Sequence, residues 1–181
     1  TQLFAVVNQP AYGNVTSIAV DPQGRLLACS FVNVLGGVTN GNPITPFVVH
    51  DFGTNVNVGS VVTSPDGRIF VAAVEGGVGT TREVIENGSS TDQILVTGLS
   101  TSMAFSPTAF GDVTKPLFFH GGQIVRADTN SGATATFATG IVGPRGIAFT
   151  SDGCLAQLER TTGKIWRFCE CDPGTMDLAV S

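Results

Sequence analysis

The sequence predicts an all-β chain: a β-propeller of about four blades, each of four antiparallel strands, in a single domain over 1–181. Three observations predict it. A segment built as apolar run, tight turn, apolar run recurs about every 43 residues, starting at Ser17, Ser60, Ser102 and Gly146. A further pair of strand-like runs follows the later copies, and four short strands per unit of this length is the pattern of a propeller blade. No window carries apolar residues at a helical period.

The copies justify the elements in order. SIAVDPQGRLLAC (17–29), SVVTSPDGRIFVA (60–72) and GIAFTSDGCLAQL (146–158) each place Pro or Asp and then Gly between two strands. Pro presets φ at one turn position and Gly accepts the positive φ at another. The third copy, SMAFSPTAFGDVTKPLFFHGG (102–122), has the turn enlarged to 106–115, an outward loop carrying Phe110. Third and fourth strands are expected at 82–86 and 92–99, at 123–128 and 134–141, and at 164–170 and 176–181, with an exposed polar turn over 86–92. In the first unit the Gly/Asn-rich stretch 33–43 reads as an insertion that weakens the third strand.

The run LFAVV (3–7) lies as far before Ser17 as the strand around Phe47 lies before Ser60, so it is expected to complete another blade. The fourth unit nevertheless carries its own last strand, MDLAVS. A simple four-bladed ring then has one strand too many, and exposed edges recruit partners. Self-association through edge strands is the expected consequence.

Charge excludes one class of partner. Nine Lys and Arg against fourteen Asp and Glu leave −5, and the cations are scattered singly, so no basic face exists for nucleic acid. No apolar run reaches the length of a membrane-spanning helix.

The cysteines are Cys29, Cys154, Cys169 and Cys171. A two-residue hairpin loop at Thr161-Thr162 would put Cys154 opposite Cys169, and a one-residue shift would put it opposite Cys171 instead. Either allows a cross-strand disulfide, leaving Cys29 to pair with the remaining cysteine or to stay buried and free. Two N-x-Ser/Thr acceptors occur, at Asn87 and Asn14, the former in the polar run. Disulfide and acceptors together point to an oxidising, extracellular compartment.

The stretch GPRGIAFTSDGCLAQLERTTGKIWRF (143–168), with SPDGRIFVA (64–72), resembles blades of the NHL and SMP-30/gluconolactonase-like propeller superfamily. The resemblance implies a propeller fold and allows a metal-dependent lactonase or esterase, in which acidic and Asn side chains hold a divalent cation at the channel mouth. The matching positions here are Asn14 to Thr16, Asn57 to Gly59, Ser100-Thr101 and Pro144-Arg145. They offer Asn14 and Asn57 but no carboxylate, whereas a hard cation wants several oxygens with at least one carboxylate. No metal ligand, cofactor or catalytic residue is therefore assigned.

Other chemistry finds little footing. His50 and His120 could serve as bases, but neither is accompanied by a nucleophile elbow. His50-Asp51 reads as a strand cap and His120 as a strand end. Asp21, Asp66 and Asp152 sit in the repeat turn, where Asp bonds nearby amides. Trp166 is a lone stacking surface. The sequence thus favours a secreted, non-catalytic binding or structural propeller that self-associates as an oligomer or filament. The alternatives are a lactonase or esterase, or a glycan or small-molecule binder using the insertions at 33–43 and 106–115.

Overall fold

The computed structural model describes residues 15–30, 33–38, 46–87, 89–98, 102–106, 116–120, 123–169 and 177–180. Its regular elements are all strands, β1 to β16, arranged as four four-stranded antiparallel sheets in which chain neighbours pair: β1-β2-β3-β4, β5-β6-β7-β8, β9-β10-β11-β12 and β13-β14-β15-β16. Contacts divide the chain into two compact units, Thr1–Ser100 and Thr101–Ser181, each holding two sheets. These four sheets are the blades that the repeat predicts.

In the first sheet β1 (Val15–Val20) and β2 (Leu26–Ser30) flank the Asp-Pro-x-Gly turn. The stretch expected to be an insertion instead holds a regular strand, β3 (Val34–Val38), paired with both β2 and β4 (Pro46–Asp51). Its glycines explain why. A Cβ on Gly37 would stand 2.6 Å from Cζ of its cross-strand partner Phe47, so the ring lies across the strand where a side chain would be. Residues 39–45 lie outside the described set.

The second sheet is the longest. β5 (Val56–Thr63) and β6 (Ile69–Glu75) are followed by β7 (Val78–Asn87) and β8 (Ser89–Thr97). The polar turn expected over 86–92 is therefore mostly strand, with Asn87 opposite Ser89. Leu27, Leu35, Val58, Ile69 and Val71 form the core between these two sheets. Burying each such side chain contributes about 1.5–3 kcal/mol.

In the second unit β9 (Met103–Phe105), β10 (Pro116–His120), β11 (Gln123–Asp128) and β12 (Thr134–Thr139) make the third sheet. The enlarged turn with Phe110 lies outside the described residues. β13 (Pro144–Phe149), β14 (Leu155–Glu159), β15 (Ile165–Phe168) and β16 (Asp177–Val180) make the fourth. Ile124, Leu155 and Phe168 anchor their shared core, with Phe137, Phe149 and Trp166 packed on it.

β14 pairs β15 in the register that faces Leu155 to Phe168, and Cys154 is bonded to Cys169 with Cα atoms 4.4 Å apart. The loop is longer than two residues. Glu159 N–H donates to Lys164 O and Gly163 N–H to Glu159 O, and Gly163 takes φ of 71°, so four residues turn the chain without changing the facing pairs. Cys29 carries a free, buried thiol and is not bridged to Cys171, which lies outside the described residues. Residues 3–7, with the expected extra strand, and Asn14 lie outside them too.

One irregularity recurs. Each outermost strand has a surplus residue relative to its partner: Val49 in β4, Leu95 in β8, Phe137 in β12 and Ala179 in β16. The innermost strands of three sheets have one near their start, at Thr16 in β1, at Gly59 in β5 and within Arg145-Gly146 in β13.

Candidate functional site

Bulges re-aim side chains, and the innermost strands of three sheets carry one. In the first unit the single proton of the Thr16 hydroxyl is shared between Gly59 O at 3.0 Å and Cys29 O at 3.2 Å. Farther along, Ser17 accepts from Val61 N–H at 3.2 Å and Thr63 donates to Val20 O at 2.9 Å. These hydroxyls stitch one sheet to the next, which occupies them structurally. Burial pushes the Cys29 thiol up to about 11, so it stays protonated and inert at neutral pH.

Asn57 is exposed on β5, and Arg145 is exposed on β13 in the other unit. Asn14, Ser100 and Thr101 lie outside the described residues. Among the described residues no group of three His, Cys, Asp or Glu could hold a metal ion. Of the positions to which the resemblance points, the described ones supply the amide of Asn57 and the guanidinium of Arg145 and no carboxylate.

His50 departs from its expected place as a cap. It lies inside β4, buried, with Nε2 2.9 Å from Asp92 Oδ1 and its ring edge-on to Phe52 at 4.5 Å. Asp92 also accepts from Arg82 Nη1, and Arg82 Nη2 donates to Glu75. A chain of ionisable groups thus runs from β4 through β8 and β7 to the end of β6. Burial alone would raise the Asp92 pKa, but Arg82 and His50 outweigh it and hold the carboxyl below its ordinary value. Glu75, Arg82 and Asp92 meet across neighbouring strands of the second sheet, and His50, 42 residues before Asp92, joins them only because the first sheet packs against it. His120 ends β10.

The turn acids serve the turns. Asp21 accepts from Arg25 N–H at 2.8 Å, Ser64 donates to Asp66, and Thr150 donates to Asp152. The Thr150 hydroxyl, with Arg167, brings the Asp152 carboxyl down to about 2. Beside the first two turns is a polar cleft of about 300 Å³ whose walls include Arg25, Glu86, Arg68, Glu83 and Asp66. Its guanidiniums are engaged: Arg25 grips Glu86 at 2.6 and 3.0 Å, and Arg68 grips Glu83 with two bonds of 2.7 Å. Arg25 and Glu86 tie the first sheet to the second, and Arg68 and Glu83 brace the second sheet on itself.

In the fourth sheet Gln157 is fully buried, and both its amide hydrogens are used, on Gly146 O at 2.9 Å and Leu158 O at 3.0 Å. The bulge in β13 frees the Gly146 carbonyl from its ladder, and Gln157 repairs it. Glu159 is also buried and accepts from Thr162 at 2.6 Å and Val142 N–H at 2.8 Å, which together lower its pKa.

No family model matches the chain, and no curated protein matches it. Solved structures do. A gluconolactonase of Xanthomonas campestris is 17% identical with a TM-score of 0.67, over 88% of this chain and 60% of that one. A calcium-binding protein, regucalcin, of Agrobacterium tumefaciens is 16% identical at 0.64, over 90% and 59%. A catalytically inactive variant of virginiamycin B lyase of Staphylococcus aureus, with quinupristin, is 18% identical at 0.65, over 96% and 57%. The chain thus spans about 60% of the length of the structures it matches. At these identities the likeness speaks to architecture alone: with its four-stranded sheets, this chain shares the β-propeller fold of those proteins.

Proposed function

We propose that the chain belongs to a propeller that cleaves small lactones or esters. The observation that carries this reading is the fold shared with a gluconolactonase and regucalcin, and with a lyase. The bulges in β1, β5 and β13 are compatible with it, because bulges occur beside active sites, where they re-aim side chains. The described residues at the positions of the resemblance supply no carboxylate, so no step is routed through a divalent cation. What they offer is binding: in the second unit Arg145 presents an exposed guanidinium, which could donate to an ester carbonyl and to the oxyanion that develops from it.

Hydrolysis of a panel of lactones and aryl esters, followed by acid release with and without added Ca²⁺, tests the reading. Turnover above the uncatalysed rate is expected, with a loss of about tenfold in kcat/KM in Arg145→Ala, in line with one oxyanion donor or less. A flat response to every substrate, with and without the ion, sinks it.

A second reading is favoured by a separate observation. One face of the first sheet exposes Ile18 (63%), Val20 (61%) and Val48 (56%), while the other face is packed against the second sheet. A sheet that is apolar on both sides suits a non-catalytic, extracellular module that self-associates. Light scattering after size exclusion should then give a mass above that of one chain. Asn87, at the end of β7, is the acceptor whose glycan peptide mass spectrometry of secreted material should show.

A further inference from the structure

Each unit packs its two sheets by the same rule. The first sheet lays Ala19, Leu27, Cys29 and Leu35 on the second, which answers with Val61 and Ile69. In the other unit Ala104 and Ile124 of the third sheet hold the repeat positions of Ala19 and Leu35. They share a core with Ile147 and Leu155 of the fourth sheet, which hold the positions of Val61 and Ile69. The earlier sheet of each pair thus gives one face, and the later sheet gives the opposite one.

Two faces are left open among the described residues. On the first sheet Ile18 stands at the position of Val61, and Val20 at that of Thr63. Val61 is buried, yet Ile18 and Val20 are the two most exposed of the large apolar side chains described. On the fourth sheet Ala156, Leu158 and Ile165 stand at the positions of Leu27, Cys29 and Leu35. Those three are at most 2% exposed in the first sheet, whereas Leu158 is 39% exposed, and Ala148, opposite Ala156, is exposed too. Arg167 lies on this face as well, already tied to Asp152 at 2.5 Å.

The open face of the first sheet is therefore the half that a later sheet presents, and that of the fourth is the half that an earlier sheet presents. Together they repeat an interface that the chain builds once in each unit. A repeat buries its apolar faces only by stacking on a neighbour. We infer that the first sheet of one copy packs on the fourth sheet of a second copy, in the register of the sheet pairs within each unit. This rests on the reading of the chain as a self-associating module and names the two surfaces that meet. The contact is heterologous, so copies add head to tail, as a ring if the rotation closes and as a filament if it does not. It is also apolar. Gly146 and Val20 stand where Ser17 and Thr63 bond across the first pair of sheets, so those hydroxyl stitches do not recur.

Light scattering after size exclusion, on two variants and their mixture, tests the pairing. The wild type should exceed the mass of one chain, and Ile18→Asp and Leu158→Asp should each fall to it. An equimolar mixture of the two at high concentration should give a species of two chains, because each variant keeps the face that the other has lost. Both residues are open to solvent, so both variants should keep the wild-type unfolding midpoint. Val20→Asp and Ala148→Asp take their places if either does not fold. Assembly of Leu158→Asp to the wild-type mass would overturn the pairing and leave self-association through the first sheet standing. Variants that remain single chains when mixed would overturn it too. A wild type of single-chain mass at every concentration would remove self-association itself, and the pairing with it.

Discussion

Asp92 joins two strands of its own sheet and one strand of the next. Its carboxylate takes a guanidinium from β7 and an imidazole from β4, and replacing it leaves Arg82 buried with one partner fewer. Removing one member of a fully buried pair costs several kcal/mol. Asp92 keeps some solvent contact, so Asp92→Asn should cost about 1–2 kcal/mol in denaturant unfolding. The pH dependence has a definite sign. Asp92, and Glu83 beside Arg68, titrate below their ordinary values of 3.8 and 4.5 when folded. Their contribution is fully present above the unfolded values and is lost as pH falls through the folded ones. Stability should therefore hold from about pH 5 upward and decline below about pH 4, with a shallower decline in Asp92→Asn. An equal slope in variant and wild type would remove Asp92 from this account. None of it was legible in the sequence, where His50 pointed to its chain neighbour Asp51 rather than to a carboxylate 42 residues away.

At the scale of the element, the hairpin of β14 and β15 was the most legible feature. The facing of Cys154 and Cys169 follows from where the chain reverses, and a four-residue turn gives the same facing as the shorter one expected. The crosslink closes a loop of 15 residues, for which chain entropy gives about 3 kcal/mol. Unfolding of the double variant Cys154→Ser, Cys169→Ser should show a loss approaching that value, and an unchanged midpoint would place the constraint elsewhere. β3 was the least legible element. Its Gly36-Gly37 pair argues for a loop by composition, yet Gly37 is needed because Phe47 packs where its side chain would be. Gly37→Ala should cost about 1–2 kcal/mol, as overpacking does, and Phe47→Leu should relieve most of that cost in the same background. Additive effects of the two changes would contradict the close approach.

For the molecule as a whole, the repeat in the sequence was enough to give four blades and their approximate starts, because turn chemistry and apolar alternation recur within each copy. Activity was not readable in the same way, since the repeated residues build turns and cores. The residues that differ between copies, such as Arg145 and Gln157, acquire meaning only from their neighbours in space. The exposed face of the first sheet sets an expectation at this scale. Ile18, Ala28, Gly36 and Val48 form one cross-strand row, of which Ile18 and Val48 are open to solvent. If this face binds a second copy, Ile18→Asp should return the protein to the mass of a single chain in light scattering. Assembly that persists in this variant would direct attention to the sheet edges.

Those edges carry a consequence of their own. Every outermost strand holds its surplus residue, Val49, Leu95, Phe137 or Ala179, a step or more inside its end. Such a residue puts the backbone out of phase with any straight strand laid beside it. The peripheries of the four sheets are thereby poor templates for cross-β stacking, although strands such as TATFAT (134–139) contain no charge or proline to deter it. Deleting Phe137 would restore phase along that strand, but it would also take away a ring that packs on Phe168 in the core of the second unit.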